Sequence, residues 1–379
     1  MSYQSVDKLQ NALAKNVFHY TKDAKKASGR ALGTIVEIIS YYLLKTWGFE
    51  YSTSIEKRLE EFGNIEITHN VEYSLHPVKN TFKIKLKACE LPITSNKLLK
   101  NSEKLESALN SYKLKNQTLL SSDKILRNSC VLGIKNNFNI VAFLDSVKNG
   151  QAIITIAEQH DRPYAIVECK RVGVEEGNKK GPQTIEKAKQ GAYVANAVSS
   201  LQKIRHRDGK LYGILPKGSG QFYLRPYEYL LKEIISSNNP NLLKNFILTV
   251  GVVSNHGNWF TSENPNKELV VLSHAYDWLV FLTDQGISEF IEKLILSPNK
   301  EYSSIKRAFT ASYSKHKKKN QFTKVQMDYL ADQSLQKYFS VNIKKIEKWF
   351  NIITPKTNSL AQLKEELNIL SSKSWFKFK

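Results

Sequence analysis

The sequence predicts an α/β (α+β) fold, with strands in the middle of the chain, helices around them, and a basic helical subdomain at the C-terminal end. Strand-length apolar runs cluster in the middle of the chain. Segments with apolar residues at helical spacing lie on either side of them, and helices dominate from Ala275 onward. With 379 residues, 41% of them hydrophobic, the chain can bury a sizeable core and carry appended parts.

The first helix is predicted from about Gly29 to Thr46, capped by Ser28 and stopped near Gly48. Leu32, Ile35, Val36, Ile39, Tyr42 and Leu43 form its apolar stripe. Two strand-like stretches follow, 64–73 and 80–90, and the turn at His76-Pro77 makes them a β-hairpin insertion over 64–90. Lys83, Lys85 and Lys87 alternate with Phe82, Ile84 and Leu86, which gives the second strand one basic face. A polar, lysine- and serine-rich helical stretch covers roughly 94–127. The runs 138–147, 151–158 and 163–170, separated by short polar turns, read as a meander of three strands. A long helix follows over 184–202, with Ile185, Ala188, Ala192, Ala195, Val198 and Leu201 on one face. Beyond a basic, glycine-containing stretch (203–226), another buried strand is expected at 245–254. These elements divide into an N-terminal helical region with the hairpin (1–127), a core (128–297) and a C-terminal subdomain (298–379).

Lys and Arg number 56 against 35 Asp and Glu, a net charge of +21. Such an excess creates a field that concentrates polyanions, and nucleic acid is the foremost polyanion because every phosphate neutralised releases counterions. The last 79 residues hold 16 Lys/Arg against 6 Asp/Glu, a net +10, and include Lys315-His316-Lys317-Lys318-Lys319. Cys89, Cys130 and Cys169 lack CxxC spacing, so neither a zinc knuckle nor a disulfide framework is indicated. No apolar signal core or membrane-span-length run is present, so a soluble, cytoplasmic protein with no membrane partner is expected.

The chemistry concentrates in Pro163-Tyr-Ala-Ile-Val-Glu168-Cys169-Lys170. Strand alternation points Ala165, Val167 and Cys169 to one face and Ile166, Glu168 and Lys170 to the other. Asp145 ends the earlier run NIVAFLD, and a meander would bring it near Glu168. Two close carboxylates repel unless a cation lies between them, and Lys170 relieves part of that repulsion. Asp145, Glu168 and the main-chain carbonyl of Cys169 would be hard oxygen ligands for Mg²⁺, which polarises a phosphoryl oxygen. An Asp/Glu-x-Lys triplet also occurs at Asp23-Ala-Lys25 and Asp208-Gly-Lys210, but only Glu168 and Lys170 close a strand. The bland alternative is an exposed cross-strand Glu–Lys pair. His256 and His274 lack metal-spaced partners and read as loop or core histidines. No phosphate-binding glycine loop or Gly-x-Ser-x-Gly elbow is present.

Here the chain resembles the PD-(D/E)xK nuclease superfamily, the type II restriction endonucleases in particular, over about 29–202 and 245–254. Asp145 stands at the family's first acid, with Leu144 in place of the proline that names the motif, and Glu168 and Lys170 match the second acid and the lysine. The resemblance implies a restriction-endonuclease-like core, a mixed β-sheet flanked by helices, built as helix, β-meander, helix and strand. It also implies Mg²⁺-dependent hydrolysis of double-stranded DNA to 5′-phosphate ends. It suggests Glu37, one turn after Gly33, as the glutamate that many members carry on the first core helix. Gln190 on the later helix could orient a water or phosphate, although Tyr193 follows it at i+3 where the family's exonucleases use i+4. Lys187, Gln190, Arg205, Arg207, Lys210, Lys217 and Arg225 are the expected DNA-binding residues, and a homodimer is the default assembly for cutting both strands of a symmetric site. The alternatives are a repair or recombination nuclease of the same superfamily and a non-catalytic basic DNA-binding protein.

Overall fold

The computed structural model describes residues 6–87, 90–135, 137–173, 182–255, 266–314 and 320–377. Helix α1 (Val6–Asn16) packs on α2 (Ala24–Leu44). Asp23 caps α2 by accepting a hydrogen bond from Lys26 N, so the helix begins five residues before the predicted start, and Ser28 lies buried inside it. Its predicted apolar stripe is buried throughout. A wider turn carries the chain to Gly48, whose φ of 94° only glycine adopts without strain.

Strands β1 (Thr53–Glu61) and β2 (Asn64–Leu75) form an antiparallel hairpin. The predicted hairpin over 64–90 is therefore corrected. Pro77 follows β2, and β3 (Val78–Leu86) leaves for a different sheet. The expected helix over 94–127 is corrected too. It is broken into β4 (Ile93–Thr94), α3 (Ser95–Lys100), α4 (Glu103–Leu109), β5 (Lys113–Leu114), β6 (Thr118–Leu120) and β7 (Ile125–Arg127). Then come β8 (Cys130–Lys135), β9 (Phe138–Lys148) and β10 (Gln151–His160), which form an antiparallel sheet in the order β3-β10-β9-β8-β5.

Strand β11 (Ala165–Val172) does not continue that meander. It pairs antiparallel with β2 and parallel with β15 (Leu248–Asn255). Strands β16 (Trp278–Leu282) and β18 (Phe350–Thr354) complete a mixed sheet in the order β1-β2-β11-β15-β16-β18. Between β11 and β15 the chain forms α5 (Pro182–Val198), an antiparallel trio β12 (Gln202–Arg205), β13 (Leu211–Gly218) and β14 (Gln221–Pro226), and then α6 (Tyr227–Ser236) and α7 (Pro240–Leu243). The rest comprises α8 (Lys267–Ala275), α9 (Asp284–Ile291), α10 (Ser303–Tyr313), β17 (Gln326–Asp328), α11 (Tyr329–Ile346) and α12 (Leu360–Ser371). Strand β17 extends a small sheet with β7, β6 and β4.

The mixed sheet is covered on both faces, which explains why β15 and β16 are buried at every position. On β11, Ala165, Val167 and Cys169 pack into the main core with α2, while Ile166 packs with Leu59, Val71, Val198 and Ile247 beneath α5. The antiparallel sheet has its own core, built from Ile84, Leu98, Leu105, Ile140, Leu144 and Ile154. The stretch 298–379 is not a separate subdomain. It supplies β18 to the mixed sheet, and Phe309, Phe339, Leu363 and Trp375 join the same core as Leu9 and Ile35. No helix among the described residues is long and apolar enough to cross a membrane.

Candidate active site

Antiparallel pairing of β2 with β11 sets Tyr73 opposite Val167, so the next position along each strand brings Glu72 beside Glu168. The two carboxylates are fixed reciprocally. Glu168 Oε1 accepts from the backbone N–H of Glu72 at 2.7 Å, and Glu72 Oε2 accepts from that of Cys169, also at 2.7 Å. Lys170, two residues on and so on the same face, donates to Glu168 Oε2 at 3.1 Å. Helix α5 backs that lysine: a β-carbon at Gly191 would meet Lys170 Cε at 3.4 Å and the Tyr276 hydroxyl at 3.5 Å.

Helix α2 brings Glu37 to the same place, where its main-chain carbonyl accepts from the Tyr73 hydroxyl at 2.8 Å. A second lysine arrives from 320–325. Lys324 Nζ lies 3.5 Å from Glu37, 3.6 Å from Glu56 and 3.9 Å from Glu72. Glu56 adopts φ 51°, a left-handed backbone uncommon for a side chain of its size. Four glutamates and two lysines thus share one corner of the mixed sheet.

Burial leaves its mark on this charge. The Glu72 carboxyl is pushed up to about 7, first by loss of solvent and then by the Glu168 carboxylate. Glu37 is also raised by burial, against the opposing pull of Lys324. Loss of solvent works against both ammonium groups, but the surrounding glutamates outweigh it: Glu168 and Glu72 raise Lys170, while Glu72, Glu37 and Glu56 raise Lys324. The Cys169 thiol is buried in the main core with its sulfur 3.3 Å from the Ser40 hydroxyl, and burial, with Glu72 beside it, pushes the thiol well up.

Asp145 does not join this corner, which corrects the expected carboxylate pair. It lies on β9 of the antiparallel sheet, at the position where the register with β10 shifts. Its carboxylate accepts from the Tyr51 hydroxyl at 3.0 Å and the Thr155 hydroxyl at 2.8 Å, with Lys83 at 3.3 Å. The structure brings together Glu37, Glu168 and Lys170 of the predicted residues and adds Glu72, Glu56 and Lys324. Glu72 carries a readable signal, an acid between Val71 and Tyr73 near a strand end. Lys324, in a basic stretch remote in sequence from the other members, carries none.

The predicted DNA-binding residues lie elsewhere. Arg205, Arg207, Lys210, Lys217 and Arg225 are exposed on or beside the β12–β14 sheet. Arg205 meets His274, Lys210 meets Asp208, Lys217 lies 4.0 Å above the Tyr223 ring, and Arg225 pairs with Glu233 at 3.6 Å. Gln190 is exposed on α5. The Lys187 side chain, His256, Cys89 and the basic run 315–319 fall outside the described residues. Among the described residues, no three His, Cys, Asp or Glu side chains converge on one metal position.

No protein-family model, curated protein or solved structure matches this chain.

Proposed function

We propose that the chain is a Mg²⁺-dependent, site-specific endonuclease of double-stranded DNA, akin to the type II restriction endonucleases, with Glu72 in the role expected of Asp145. One observation carries the reading: Glu72 and Glu168, on adjoining strands, hold their carboxylates together with Lys170 on the same face. The order of elements supports it. A helix bearing Glu37, a hairpin, the Glu168 strand, a helix and a parallel strand follow one another as in the PD-(D/E)xK core, once 78–160 is seen as an insertion between the hairpin and β11.

The donor set suits magnesium. That ion takes one or two carboxylates and completes its octahedron with waters and phosphate oxygens, so a cage of three acids is not required. Burial, and after it the Glu168 carboxylate, raise the Glu72 carboxyl, and a divalent cation beside the pair would favour the ionised form. Glu72 and Glu168 would hold the ion, with the Cys169 carbonyl available beside them. When bound, Mg²⁺ supplies Lewis-acid polarisation of the scissile phosphate. Lys170, anchored by Glu168, keeps a positive charge where negative charge develops and can hold a water against the phosphorus. Basic side chains elsewhere hold the duplex by its phosphates.

The test is incubation of supercoiled plasmid with the purified chain and Mg²⁺. Discrete fragments are expected, and Glu168→Ala should lower the rate by about 10³-fold or more while DNA binding persists. Smears would favour a repair nuclease, and uncut plasmid a non-catalytic binder. Cutting by Glu168→Ala at the normal rate would overturn the reading.

A further inference from the structure

Lys324 is not explained by the carboxylate pair and Lys170. Its ammonium lies between three carboxylates on three elements, Glu37 of α2, Glu56 of β1 and Glu72 of β2, at 3.5, 3.6 and 3.9 Å. Glu37 is the nearest of the three, and the others follow within 0.4 Å. The three near-equal distances are those of a shared cation. Its side chain is only 11% exposed, so water screens the charge poorly.

The segment is held in place from the backbone. The buried Asn128 donates its side-chain amide to Lys324 O at 2.7 Å and its main-chain N–H to Val325 O at 3.0 Å. Just beyond, β17 pairs with β7 of the small sheet. The small sheet and Asn128 thus anchor the main chain from which the lysine reaches toward the acids of the mixed sheet. Glu56 meets it from a strained backbone, which local packing must sustain.

We infer that Lys324 is a tethered cation that fills the acidic half of the site between Glu37, Glu56 and Glu72, in place of a second divalent ion. The inference rests on the metal-dependent reading above and deepens it. The chain then binds one divalent ion per site, on the Glu72–Glu168 side, and Lys324 is a positioning residue that fixes the neighbouring acids. Removing its charge leaves three close carboxylates without their counter-ion, and a divalent cation is the natural replacement.

The experiment is calorimetric titration of the full chain with Mn²⁺ alone at fixed ionic strength, using wild type, Lys324→Met, Lys324→Arg and Glu168→Gln. Wild type should bind one ion, and Glu168→Gln should lose it. Lys324→Met should bind a second ion and hold the first about tenfold tighter. Lys324→Arg, which keeps the charge, should resemble wild type; a merely structural lysine would not divide the variants by charge. One ion of unchanged affinity in Lys324→Met overturns the inference alone, as do two ions in wild type, a result that needs no variant to fold. If Lys324→Met fails to melt cooperatively, Lys324→Gln is read in its place. No Mn²⁺ binding in wild type, or binding indifferent to Glu168→Gln, overturns the metal-dependent reading and the inference with it.

Discussion

Asp145 and Glu72 are both acids on strands, with a lysine within reach of each, yet their surroundings differ in kind. Asp145 sits in the antiparallel sheet with two hydroxyl donors and a lysine that is itself 68% exposed. Its charge is fully accommodated by donors already present. Glu72 sits in the mixed sheet against a second carboxylate, and its carboxyl is pushed up to about 7. Satisfied polar groups stabilise a fold, whereas like charges forced together cost stability and persist where something else draws benefit from them. The antiparallel sheet carries the first kind of acid and the mixed sheet the second. That contrast separates framework from candidate site.

The contrast can be sharpened by pH. The Glu72 carboxyl has a folded-state value of about 7, above its ordinary 4.5. Between those values the folded chain keeps a proton that the unfolded chain has released. Metal-free stability therefore falls as pH rises through that window and stays lower above it. Glu72→Gln has nothing to ionise, so thermal melts in chelator should show a flatter slope over the window and a higher melting temperature at pH 8. An unchanged slope would mean that Glu72 is not under strain.

A smaller effect is expected on the other side of the comparison. Thr155→Val removes one donor from Asp145 and should lower stability by about 1 kcal/mol, read by denaturant unfolding. Lys83→Ala, at an exposed ion pair, should cost between about 0 and 1 kcal/mol. Neither should alter Mg²⁺-dependent cleavage. A large loss of cutting in either would return Asp145 to the site.

Much of this was legible in the residues. Helix α2 declared itself by its apolar stripe, and β11 by the alternation that separates Val167 from Glu168 and Lys170. Glu37 was reachable only through the resemblance, which asks for a glutamate on the first core helix. Glu72 was visible as an acid in a strand, but its pairing with Glu168 was not, because strand pairing is a property of topology. Strands β9, β10 and β11 are consecutive and separated by short turns, which is the ordinary signature of a meander, yet β11 crosses to a sheet begun by β1 and β2. Pro77, which follows β2, reads locally as a hairpin turn, although β3 joins the other sheet. The basic tail misled for a related reason: its charge stands out in the sequence, while Phe309, Phe339 and Trp375 bury themselves in the main core.

The most direct test sets Glu72→Gln beside Asp145→Asn, each assayed for Mg²⁺-dependent cleavage of the same plasmid at equal DNA occupancy. Glu72→Gln should lose cutting by about 10³-fold while Asp145→Asn stays within a few-fold of wild type. Full activity in Glu72→Gln together with its loss in Asp145→Asn would contradict the account.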